Sequence, residues 1–77
     1  MFLSLSQLRP GKLARIVQIN SINAMVERRL CDFGVMEGTI IQLKRTLPFG
    51  GPLAIVTKGQ SIGIRRAVAS KILVECI

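Results

Sequence analysis

The sequence contains no histidine, no tryptophan and no tyrosine. Without histidine, the commonest general base and the commonest metal ligand are both missing. Nucleophilic sites that need a Ser-His or Cys-His pair cannot be assembled. The only aromatics are Phe2, Phe33 and Phe49, a thin supply for a protein that would stack bases of a single strand on aromatic side chains. The four carboxylates, Glu27, Asp32, Glu37 and Glu75, are dispersed. Glu27 and Asp32 are five positions apart, which does not place them on one helix face. Neither glycine-rich phosphate-binding fingerprint is present.

Cysteine is scarce as well. Cys31 and Cys76 form no C-x-x-C pair, and two thiols fall short of the three or four ligands of a zinc or iron–sulfur site. They read as free, mostly buried thiols of a protein in a reducing compartment, with a single disulfide as the lesser alternative. No apolar run approaches the roughly 20 residues that cross a bilayer. The opening residues lack the basic stretch and cleavage site of a signal peptide. These absences lead us to expect a soluble cytoplasmic protein that binds rather than catalyses, with no metal and no cofactor of its own.

What is present is positive charge and apolar residues. Eleven Lys and Arg against four Asp and Glu give a net charge of +7. A field of that sign attracts nucleic acid, anionic lipid headgroups or an acidic protein surface. The basic residues are scattered and make no long run, so a disordered basic arm is not expected. Hydrophobic residues are 49% of the 77, a globular balance. The length implies one domain, 1–77, with a thin core.

Regular punctuation divides the chain. Residues 4–10 are a lead-in closed by the turn signal Pro10-Gly11. Residues 12–19 (KLARIVQI) are β-branched and read as a strand. Asn20 and Ser21 are candidate helix caps. Residues 22–33 carry Ile22, Met25, Val26, Leu30 and Phe33 at offsets of one helical stripe, so Phe33 reads as core. Gly34 ends this helix in the left-handed conformation, with Leu30 and Val35 meeting across a Schellman ending. Gly38 marks a second turn.

Residues 39–47 form the next expected strand, with Ile41 and Leu43 on one face and Gln42 and Lys44 on the other. Residues 48–52 (PFGGP) are a loop. Residues 53–58 and 61–66 form a hairpin about a tight turn at Gly59-Gln60. A helical stub over 67–71 leads to a closing strand, 72–77, with Ile72, Val74 and Cys76 on one face. About five short antiparallel strands with one helix after the first do not alternate as an α/β chain would. To bury one face and hide their edges they must curl up. The expected fold is mainly β: a small SH3-like barrel with the helix over one open end. Any edge left open could pair with a second copy.

Two segments look least like scaffold. One is the 48–52 loop, which carries Phe49 and is flanked by Arg45 and Leu47; the plain alternative is a hairpin connection. The other is Arg65-Arg66 at a strand end, either a solvated pair covering the core with its stems or an anchor for an acidic patch. Arg28 and Arg29 read as solvated charge.

Several motifs, in order over about 70 residues, carry a family resemblance: Leu8-Arg9-Pro10-Gly11, Arg28-Arg29-Leu30, Phe33-Gly34-Val35, Glu37-Gly38-Thr39, the stretch from Leu47 through Pro48-Phe49-Gly50-Gly51-Pro52 to Leu53, then Ile64-Arg65 and Ala69-Ser70-Lys71-Ile72-Leu73-Val74. Together they resemble the FeoA family of bacterial ferrous-iron uptake. The resemblance implies an SH3-like barrel. It also implies a non-catalytic partner of the membrane iron transporter FeoB, docking on that transporter's cytosolic G-protein region to influence its nucleotide cycle or assembly. On this reading Arg45, Leu47, Pro48, Phe49, Gly50, Pro52, Arg65 and Arg66 contact the partner, while Gly34 and Gly38 serve the fold. Gly51 departs from the pattern, which usually has Asp there. A related barrel occurs in iron-dependent repressors, but this sequence carries no DNA-reading helix-turn-helix. The alternative from charge alone is a basic nucleic-acid-binding barrel.

Overall fold

Alternating apolar residues between Gly- and Pro-marked turns generate a single antiparallel sheet. The structure, a computed structural model, describes residues 2–20 and 23–77. Among these the chain forms six strands: β1 (Phe2–Ser4), β2 (Leu13–Ile19), β3 (Ile40–Thr46), β4 (Leu53–Thr57), β5 (Gln60–Ile64) and β6 (Ile72–Cys76). Helix α1 (Ala24–Asp32) follows β2, and a single-turn helix α2 (Arg66–Ala69) joins β5 to β6. The strand order is β1-β6-β2-β3-β4-β5, and every neighbouring pair is antiparallel. This is the expected mainly-β, SH3-like architecture with one strand more than the sequence showed.

The extra strand lies in the lead-in. Phe2–Ser4 pairs with the end of β6, and a 3₁₀ turn at Leu5–Gln7 then drops Leu5 and Leu8 into the core. The Ser4 N–H donates to Gln7 Oε1 at 3.1 Å and secures that turn. Inward positions of β2, β3, β4 and β6 supply most of the core: Ala14, Ile16, Ile41, Leu43, Leu53, Ile55, Ile72 and Val74 are fully buried.

Two bulges curl the sheet. In β2, Val17 is the extra residue between Ile16 and Gln18, which face consecutive residues of β6. In β3, Lys44 is the extra residue between Leu43 and Arg45, which face Ile55 and Ala54. A bulge bends its strand and strengthens the local twist. The second also breaks the in–out alternation, so that Lys44, Arg45 and Thr46 are exposed in succession.

Helix α1 is shorter and less buried than its apolar stripe implied. Asn23 caps it, its side-chain oxygen accepting from Met25 N–H at 2.8 Å. Asn20 is not the cap, and Ser21 and Ile22 lie outside the described residues. Met25 is 72% exposed and Phe33 50%, so neither joins the core. Leu30 alone is buried, with Val26 half-buried against the core. The helix is held near its C-terminal end, and its first turn stands off the sheet. Its ending is as expected: Gly34 (φ +85) donates to Cys31 O at 2.9 Å, and Val35 donates to Leu30 O at 2.8 Å.

Candidate functional site

The 47–52 connection between β3 and β4 is exposed at every residue but Gly51, which is half-buried. Leu47 N–H donates to Pro52 O at 3.0 Å and closes its base. Inside it, Gly51 N–H donates to Pro48 O at 3.2 Å, with Phe49 (φ +61) and Gly50 (φ +71) as the central residues. Positive φ at both centres belongs to a type I′ turn, which favours Asn or Gly. A bulky residue there is an outlier. Phe49 nevertheless occupies it, with a relative exposure of 104%, so no neighbouring side chain rewards the strained backbone. Leu47 is 40% exposed beside it. A strained, uncompensated aromatic at a loop tip points to a contact outside the chain.

The register brings the other predicted contact residues to the same end. Thr46 faces Leu53, and Leu53 faces Ile64, so the loop and the Arg65-Arg66 pair both emerge from that row. Arg45, two residues before Leu47, is turned outward by the bulge at Lys44. Arg65 is exposed at the N-cap of α2. Arg66 is half-buried, and its Nε is buried without a hydrogen-bond partner. All eight predicted contact residues therefore share one end of the sheet. Gly38 lies at the opposite end, before β3, where its N–H donates to Ile16 O at 2.7 Å.

On the flank of this end, α1 lies beside edge strand β5. Arg29, Leu30, Phe33, Ile62, Ile64 and Arg65 help line a shallow groove of about 320 Å³ there. Sequence reasoning missed Arg29 and Phe33 as lining residues, because the helical stripe assigned Phe33 to the core and Arg29 to solvent. The pairing of α1 with a strand more than thirty residues later leaves no local signal.

The cysteines correct an expectation. Cys31 and Cys76 are free, but both are exposed rather than buried. Cys31 lies on the unburied side of α1, and Cys76 is the last residue of β6, past the buried Ile72 and Val74. Among the described residues, no three Cys, Asp or Glu side chains cluster closely enough to hold a metal ion. No helix there is long and apolar enough to cross a membrane.

Residues 3–76 match the FeoA domain family. The chain belongs to the FeoA family. A crystal structure of an iron uptake regulatory protein (FeoA) superposes with a TM-score of 0.85 at 26% identity, covering 100% of this chain and 99% of that one. FeoA from Chlorobium tepidum gives 0.90 at 29% identity, covering 97% and 70%. A manganese-dependent transcriptional repressor shares the fold alone, with a TM-score of 0.88 at 14% identity, this chain covering 42% of it. The comparison with curated proteins found no match. Membership of the FeoA family implies a role in ferrous-iron transport and links the chain to the Feo system.

Proposed function

We propose that this chain is a single-domain, non-catalytic regulator of ferrous-iron uptake. It works in the cytoplasm, at the inner face of the membrane, by docking on the cytosolic G-protein region of the FeoB transporter. The observation that carries the proposal is the shared end of the sheet. There an exposed, backbone-strained Phe49 stands among Arg45, Arg65 and Arg66. Aromatic and arginine side chains are the usual energetic centres of protein interfaces. A net charge of +7 speeds encounter with an acidic surface. Family membership supplies the transport context; the choice of partner and surface is our own reading.

The test is a pull-down from membranes of the source bacterium with the tagged chain and its Arg65→Glu variant. The wild type is expected to recover a large membrane G-protein, and the variant to lose it. Recovery of nucleic acid instead, by the wild type alone, would favour the basic nucleic-acid-binding barrel.

A further inference from the structure

The positive charge is not spread evenly over the sheet. Lys44 and Arg45 end β3, and Arg65 and Arg66 follow β5, all at the end that carries the 47–52 loop. The turn holding Arg9 and Lys12 is bound to the same half of β3, through Gly11 N–H to Leu43 O at 2.6 Å and Leu43 N–H to Lys12 O at 3.1 Å. None of the four carboxylates is there. Glu75 faces Arg15, which faces Ile40 at the start of β3, and the two side chains form an ion pair of 3.9 Å. Glu37 and Glu27 share a cleft before β3. Asp32 lies near Lys58 and Gln60 at the far turn of β4. That end thus gathers six of the eleven cations around an apolar tip, whereas the carboxylates lie in the row of Arg15 and around α1.

We propose that the 47–52 end rests directly on an anionic phospholipid surface. Phe49 and Leu47 enter the interfacial layer, and the surrounding Lys and Arg side chains meet lipid phosphates. The tip is uncovered, with Phe49 fully exposed, so it suits a soft surface that yields to a single aromatic ring. The cations come from three separate elements, a width that suits an extended anionic plane better than one local acidic pocket. Only two apolar residues project, so the contact is interfacial. This shares its surface, Phe49 included, with the docking reading, so lipid and transporter would compete for the tip. It rests on separate observations, the gathering of cations and the exposure of Phe49.

The experiment uses the purified chain with vesicles of phosphatidylglycerol and phosphatidylcholine, against phosphatidylcholine alone. Sedimentation with the anionic vesicles only is expected, and it should be lost near 1 M salt, where screening shortens to about 3 Å. Phe49→Ser should weaken partitioning about tenfold or more, from the transfer of one aromatic side chain. Arg45→Glu should weaken it about fivefold or more, and Arg28→Glu on α1 should not. The sequence has no tryptophan, so Phe49→Trp places a sole reporter at the tip, and its emission should shift to the blue on anionic vesicles. No binding at low salt would overturn the proposal. So would binding that Phe49→Ser leaves intact with no blue shift, which is adsorption by charge alone. So too would retention only by an acidic protein. The vesicles contain no transporter, so a negative result leaves the docking reading untouched.

Discussion

Val35 N–H donates to the carbonyl of Leu30 at 2.8 Å, and both side chains are buried in the core. This one pairing ends α1, turns the chain through Gly34 and fastens an otherwise exposed helix to the sheet. Gly34 sits at φ +85 in the turn. A Cβ there would meet Lys58 only at ordinary contact, 3.5 Å, so backbone strain decides the effect. Gly34→Ala is expected to cost about 1–2 kcal/mol, read as a lowered midpoint of urea unfolding with unchanged slope.

Lys58 and Gly59 form the two-residue turn of the β4–β5 hairpin, with Thr57 facing Gln60. Their φ values are +50 and +79. Lysine has no preference for that region, whereas Asn-Gly is the favoured type I′ pair. Lys58→Asn should therefore stabilise the protein by roughly 0.5–1 kcal/mol, visible as a higher thermal midpoint.

Phe49 poses the same backbone problem at the other end of the sheet, and with function attached. Phe49→Asn relieves the positive φ and removes no intramolecular packing, since the ring is fully exposed. Stability should rise by about 0.5–1 kcal/mol, while binding to whatever the tip contacts falls. A variant that gains stability and keeps full binding would show the ring to be a bystander.

Gly51 stands where the family resemblance leads one to expect Asp. A Cβ at this position would lie 3.1 Å from both Leu47 Cβ and Pro48 O. The loop has closed into the space a side chain would need. Gly51→Asp should force it open, at a cost of order 1 kcal/mol, and should alter the chemical shifts of Leu47 and Phe49 most.

Local chemistry was legible in the sequence wherever a residue's own backbone need decided the structure. The Gly34 ending, the Pro10-Gly11 turn and the in–out pattern of Ile41, Gln42 and Leu43 all appear as read. The two type I′ turns were less so: a tight turn was expected at Gly59-Gln60, and it falls one residue earlier because Lys58 accepts a strained φ. Strand β1 was hidden because three residues are too few to show alternation. The stripe on α1 misled because the helix is attached at one end only, leaving Met25 and Phe33 in solvent. The gathering of Arg45, the 47–52 loop and Arg65 at one end depends on strand register. So does the pairing of Glu75 with Arg15 away from that end. Neither has a local signal.

The central claim is that the 47–52 end and Arg65 form a docking surface for the transporter's cytosolic region. The most direct measurement is calorimetric titration of that purified region, in lipid-free solution, with the wild-type chain and with Arg65→Glu and Phe49→Ser. Saturable binding by the wild type, weakened about tenfold or more by either substitution, is the expected result. Wild-type binding that both variants retain in full would place the docking surface elsewhere, and no binding by any of them would contradict the account.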